Sequence, residues 1–180
     1  MDIKTGRLTT KYAQALFNLD GKQMGEADFW AIKKTVQCLR QNMTILTYFN
    51  APHASENHQL IKLFLAYFKL PPKFSALILL LQKQQRVFLL KNILEEFLAL
   101  YLTKQQQIFF KISSYPALND IQTKQALDYL EQATSCKIIY EQHVDPALIA
   151  GLKMQSVTFL YNHTIQNRLQ KIHRKLIRQN

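Results

Sequence analysis

Through the first hundred positions, apolar residues recur at helical spacing. Leu8, Tyr12, Ala15, Leu16 and Leu19 stand at i, i+4, i+7, i+8 and i+11, one face of a first helix that ends near Asp20-Gly21. The same periodicity predicts a second helix over 29–42 and a short third over 45–49. Pro52 and the polar run from Ser55 to His58 interrupt it. Ser55 has the side chain to cap a fourth helix running to Phe68, which Pro71-Pro72 then stops. The next stretch, KFSALILLLQKQQ (73–85), is apolar on every side of a helix, and Val87 to Leu102 forms a long helix with apolar positions 87, 90, 94, 97 and 101. This half reads as five or six packed helices.

The period changes near 103–107. IFFKIS (108–113) has the β-branched and aromatic content of a strand. Asn119 followed by Gln122 is a capping box that opens a helix to about Thr134, with Ile121, Ala126, Leu127 and Leu130 turned to a sheet. KIIYEQHV (137–144) is a second strand, Asp145-Pro146 a turn, and 153–161 a strand or hairpin. Asn162-His163-Thr164 then breaks an aromatic run, and Ile165, Leu169, Ile172 and Leu176 form an apolar stripe at i, i+4, i+7 and i+11 that anchors a last helix on its sheet or on a partner. The chain is therefore mainly α with a smaller α/β part, divided near residue 105.

Composition supports packed domains. At 180 residues, 48% of them hydrophobic, with 11 Phe, 8 Tyr and 1 Trp, the chain can fill a core without disulfides or metal. Only 4 Gly and 5 Pro favour long helices over many-stranded sheets. Charge adds a partner class: 23 Lys plus Arg against 12 Asp plus Glu leaves +11, which attracts nucleic acid, anionic lipid or an acidic protein. No carboxylate side chain follows Asp145, while Lys153, Arg168, Lys171, Arg174, Lys175 and Arg178 accumulate.

Chemistry for catalysis is missing from the pattern. There is no phosphate loop, GxGxxG or HExxH, and four scattered glycines do not allow the close backbone approach that phosphate cradles need. His53 and His58 are five apart and do not align on a helix. His143 beside Asp145 lacks convergent partners, and the adjacent Glu95 and Glu96 point about 100° apart on a helix and cannot share a substrate. Cys38 and Cys136 are read as packing residues of a reducing compartment. The expectation is no enzyme, no cofactor and no metal. The longest apolar run, Phe74 to Leu81, is too short to span a membrane, and MDIKTGRLTTKY lacks the apolar core of a signal peptide. That run does carry surplus: with Phe74, Leu77, Ile78 and Leu81 inward, Leu79 and Leu80 point elsewhere, so the helix is central in its bundle or presents a groove to a partner helix.

Three segments resemble one family in the right order. KYAQALFNL (11–19) resembles the R-Y-A-x-A-L-F opening helix of the delta subunit of bacterial ATP synthase, which is similar to the mitochondrial oligomycin-sensitivity-conferring protein. LLLQKQQRVFLLKNILEEF (79–97) resembles its L-x-x-x-x-R-x-x-L-L-x-x-I-x-x-x-F segment. VDPALIAGLKMQSVTFLYNHTIQNRLQKI (144–172) aligns without gaps to V-D-P-x-L-I-G-G, a hairpin, then D-G-S-V-x-x-R-L-x-x-L. The departures are Ala150 for the first glycine of the pair, Val157-Thr158 for the hairpin's G-D, Asn162-His163-Thr164 for D-G-S, and Gln166 and Asn167 for a basic residue and a glycine. They predict a wider hairpin turn, with Asn162 or Thr164 keeping the helix cap.

The resemblance implies an N-terminal six-helix bundle (1–105) on the catalytic head and a C-terminal α/β domain with a small sheet (106–180) on the peripheral stalk. In that family the bundle clasps the N-terminal helix of an alpha subunit between its first and fifth helices, and the C-terminal domain binds the C-terminal ends of the b subunits. Carried onto this chain, the groove residues are Ala13, Leu16, Phe17, Leu77, Leu80 and Leu81, and the stalk contacts are Arg168, Lys171, Lys175 and Arg178. The implied role is a non-catalytic stator link, peripheral on the cytoplasmic face of a bacterial inner membrane rather than the matrix side of a mitochondrial one. The rival expectation is a basic helical adaptor for nucleic acid, which shares the charge but not the apolar groove.

Overall fold

The computed structural model describes residues 3–21, 24–49, 54–71 and 73–178, with side chains at 6–19, 21, 24–49, 59–71 and 73–174. The chain divides into two compact units, 1–101 and 102–180. It is mostly helical, with one small four-stranded mixed sheet.

The first unit holds α1 (Ile3–Leu16), a π turn (Phe17–Gly21), α2 (Glu26–Gln41), α3 (Thr44–Phe49), α4 (Ala54–Phe68), α5 (Lys73–Lys83), a 3-10 turn (Val87–Leu89) and most of α6 (Leu90–Lys104). The predicted long helix from Val87 thus opens with a 3-10 turn, and its apolar positions 87, 90, 94, 97 and 101 are all buried. Phe17 and Phe74 meet the Phe97 ring at 6.1 and 5.7 Å between centroids, joining the end of α1, α5 and α6 in one aromatic core. α4 ends where Lys69 turns left-handed (φ 52), and Leu70 N donates to Leu65 O at 3.0 Å, a close that satisfies a terminal carbonyl without glycine. α4 begins at Ala54, so Ser55 lies inside it rather than capping it; the Ser55 side chain and residues 50–53 lie outside the described residues.

The face of α1 turned to the core differs from the predicted one. Thr9, Ala13 and Leu16 are buried there with Phe17, whereas Leu8 and Tyr12 are half-buried, Ala15 is exposed and Leu19 is 67% exposed. Small side chains at 9 and 13 let α1 sit close on its neighbours, and the wider π turn carries Leu19 outward. Gly21 lies under the Phe17 ring, where any Cβ would collide with it.

In the second unit, β1 (Gln107–Tyr115) pairs in parallel with β2 (Lys137–Val144), and α7 (Asp120–Thr134) makes the crossover. β3 (Gly151–Gln155) and β4 (Leu160–Thr164) add antiparallel to give the order β2-β1-β3-β4. The predicted strand or hairpin at 153–161 is thus a hairpin, closed by Ser156 N donating to Phe159 O at 2.8 Å. The capping box at α7 forms in both directions, Gln122 N to Asn119 Oδ1 at 2.8 Å and Asn119 N to Gln122 Oε1 at 3.1 Å. Ala126 and Leu130 bury against Phe110, Ile112, Ile138 and Met154, with Leu127 partly buried. Ile121 does not join them and is exposed, because five residues before Ala126 places it about 140° off that face. β4 passes directly into α8 (Ile165–Arg178).

Two candidate docking surfaces

Helices α1 and α5 lie side by side and antiparallel, held at both ends. Tyr12 Oη donates to Gln84 Oε1 at 2.5 Å, and Lys73 Nζ donates to the Leu19 carbonyl at 2.7 Å. On α5 and its C-terminal extension, Lys73, Ala76, Leu80 and Gln84 stand at i, i+3, i+7 and i+11, a single stripe whose two ends are these ties. On α1 and the π turn after it, the matching residues are Tyr12, Ala15 and Leu19. Between the ties solvent reaches Ala15, Leu19, Ala76 and Leu80, of which Leu80 is 43% exposed. The result is a shallow apolar seam.

Five of the six predicted groove residues form the floor and core beneath it. Ala13, Leu16, Phe17, Leu77 and Leu81 are buried, and Leu80 alone of the six offers appreciable surface. The seam residues Tyr12, Ala15, Leu19, Ala76 and Gln84 were absent from the predicted set. The Leu8-Tyr12-Ala15-Leu19 stripe was the available signal, since it carries more apolar surface than the core face of α1 uses.

The second surface is α8. Its start is fixed by a set of short-range bonds: Thr164 Oγ1 accepts from Asn167 N at 3.2 Å and donates to Asn162 Oδ1 at 2.8 Å, Asn167 Nδ2 donates to Asn162 O at 3.1 Å, and Ile165 N donates to Ala150 O at 2.9 Å. Thr164 is thus the cap, and Asn162 orients it. Beyond this junction Ile165, Leu169 and Ile172 remain 44%, 53% and 55% exposed, so the predicted stripe is not packed on the sheet. Arg168, Lys171 and Arg174 are exposed around it. Arg168 Nη2 lies 2.8 Å from His163 Nε2, which braces it across the first turn. The side chains of Lys175, Leu176 and Arg178 lie outside the described residues. Elsewhere in the second unit, a shallow groove of about 300 Å³ between α7 and the β3-β4 hairpin is walled by Tyr129 and Tyr161, whose ring centroids are 5.6 Å apart.

Among the described residues no group of three or more His, Cys, Asp or Glu converges on a metal-sized site, and no helix is long and apolar enough to cross a membrane. What the two surfaces offer is apolar area bordered by cations, suited to helix docking.

The family model described as ATP synthase delta (OSCP) subunit matches residues 8–176. Proteins named ATP synthase subunit delta are similar over almost the whole chain: that of Anaeromyxobacter sp. (strain Fw109-5) is 25% identical over 179 residues, covering 95% of this chain and 97% of the relative. That of Mycoplasmoides gallisepticum is 26% identical over 172 residues, covering 92% of each. Among solved structures, a chain of the Toxoplasma gondii mitochondrial ATP synthase hexamer shares the fold with a TM-score of 0.64 at 15% identity, over 94% of this chain and 97% of that one.

Proposed function

The chain belongs to the ATP synthase delta (OSCP) subunit family, and from that premise we propose that it is the stator link of a proton-translocating ATP synthase. The helices of the first unit are read as the family's six-helix bundle, seated on the catalytic head. The N-terminal helix of an alpha subunit lies along the α1/α5 seam, over Ala15, Leu19, Ala76 and Leu80. The C-terminal ends of the b subunits meet α8 through Ile165, Leu169 and Ile172, with Arg168 and Lys171 beside them. The role is non-catalytic, and the attachment to the membrane is peripheral, on the cytoplasmic face of a bacterial inner membrane.

The observation that carries this reading is the exposed apolar stripe on each of two separate units, one at the α1/α5 seam and one on α8. A link needs an attachment at both ends, and exposed contiguous apolar area is how protein surfaces announce a partner. The test is reconstitution of proton-driven ATP synthesis on membranes stripped of this subunit, with the full-length chain and two variants, Leu80→Asp and Leu169→Glu. Both positions are exposed, so both variants should fold and each should fail to restore coupling. Full restoration by either folded variant would refute the two-ended link.

A further inference from the structure

Cations border the α1/α5 seam along both helices, and Asp20 follows Leu19 in the π turn at the Lys73 end. Neither α1 (IKTGRLTTKYAQAL) nor α5 (KFSALILLLQK) contains an acidic residue. Helical geometry puts Lys11 on the solvent side of the Tyr12-Ala15-Leu19 stripe and Lys83 on the solvent side of Leu80. The ends are also cationic. Lys73 closes one through the Leu19 carbonyl, and Arg86 Nη1 donates to Gln84 Oε1 at 3.1 Å at the other.

The ties also set a length. From Tyr12 to Leu19 is seven residues, about 10 Å of helix, or two turns. An occupant seated between the ties therefore presents only two turns of anchors to the apolar strip, while its flanks pass Lys11 and Lys83 and its ends pass Lys73 and Arg86.

We infer that the seam selects an acidic amphipathic helix, one with apolar anchors at i, i+4 and i+7 and carboxylates on both flanks; this rests on the docking proposed above. The apolar strip is narrow and shallow, so it gives little discrimination between helices of similar hydrophobicity. The cationic border does the discriminating: carboxylates gain beside Lys11, Lys83 and Arg86, and lysines at the same flanking positions meet like charges.

The test uses the full-length chain and three synthetic 20-residue peptides with identical leucines at i, i+4 and i+7 and with glutamate, glutamine or lysine at the flanking positions, titrated by calorimetry. At low salt the glutamate peptide should bind about tenfold more tightly than the glutamine peptide, and the lysine peptide more weakly still. The preference should shrink to about twofold or less near 1 M salt, where screening acts within about 3 Å. A Lys11→Glu, Lys83→Glu double variant should invert the order. Equal affinity of the glutamate and glutamine peptides at low salt, with Leu80→Asp weakening both, would overturn the charge selection while leaving the docking intact. No binding by any peptide would overturn the docking and the selection with it.

Discussion

Leu80 and Leu81 are neighbours in sequence with opposite roles in the structure, and mutating each separates binding from folding. Leu80 is 43% exposed and Leu81 is 0% exposed. Fully burying a leucine is worth about 1.5–3 kcal/mol, so a helix that covers the remaining 43% of Leu80 gains roughly 0.6–1.3 kcal/mol from it. Leu80→Ala should therefore weaken an alpha-subunit N-terminal peptide about three- to ninefold. Leu80→Asp forfeits the same contact and also strips water from a carboxylate, a cost that Lys83 offsets only in part, so the loss should reach about 2 kcal/mol or more, roughly thirtyfold. Leu81→Ala instead leaves a cavity and should cost about 2–5 kcal/mol of stability. Calorimetric titration with the peptide reads the first effect, and urea unfolding followed by circular dichroism reads the second. Native affinity in Leu80→Asp would remove that residue from any interface, and native stability in Leu81→Ala would mean the seam floor is not packed as described.

Gly151→Ala should destabilise the second unit by about 2 kcal/mol or more, because Gly151 has φ +110 and an added Cβ would strike the His163 carbonyl oxygen and sit 2.9 Å from Thr164 Cα. Ala150→Gly should stay within about 1 kcal/mol, since Ala150 is not among the residues with positive φ; urea midpoints compare the two. Burial, and then the negative charges of Glu26 and Asp28, raise the Tyr101 phenol above its usual 10.0. The folded chain thus holds the proton more tightly than the unfolded one, so this contribution is complete below pH 10 and is lost as pH climbs through the raised value. Tyr101→Phe should flatten the decline of unfolding free energy above pH 10, and an unchanged alkaline slope would contradict the burial argument.

Where local rules act alone, the sequence was enough. The α7 capping box needs only Asn119 and Gln122 at the right spacing, and β2 occupies the predicted residues 137–144. The failures fall where a tertiary choice intervenes. Periodicity gave α1 an apolar stripe but not its orientation, and the small Thr9 and Ala13, which tolerate closer packing than Leu8 and Tyr12, took the inward side. The π turn after Leu16 follows no residue pattern; it rests on the Phe17 ring covering Gly21. For the groove, the resemblance named the first and fifth helices, and periodicity already turned Leu80 away from Leu77 and Leu81; what no single helix reveals is exposure, which depends on neighbours and leaves Ala13, Leu16, Phe17, Leu77 and Leu81 buried.

The same limit bears on α8, whose sequence shows a stripe without saying what covers it. Its 14 residues are near the shortest length at which an isolated helix persists in water. It has no acidic residue to pair with its cations, and Arg168, Lys171 and Arg174 stand three apart, so their mutual repulsion opposes the helix by a few tenths of a kcal/mol per pair. Its chief contacts in the second unit are with β4 and the 3-10 turn Pro146–Leu148, and these hold its beginning. Thr164 and Asn162 therefore start a helix that the rest of the unit does little to continue. A stalk end that is both apolar and acidic would supply the two things α8 lacks, cover for Ile165, Leu169 and Ile172 and counter-charge for Arg168 and Lys171. Exposed ion pairs contribute only about 0–1 kcal/mol each, so the apolar stripe must carry most of the affinity while charge sets approach and register. Under the proposed function, binding at this end would be coupled to consolidation of the helix, whereas the α1/α5 seam, already tied at both ends, would receive its partner as it stands.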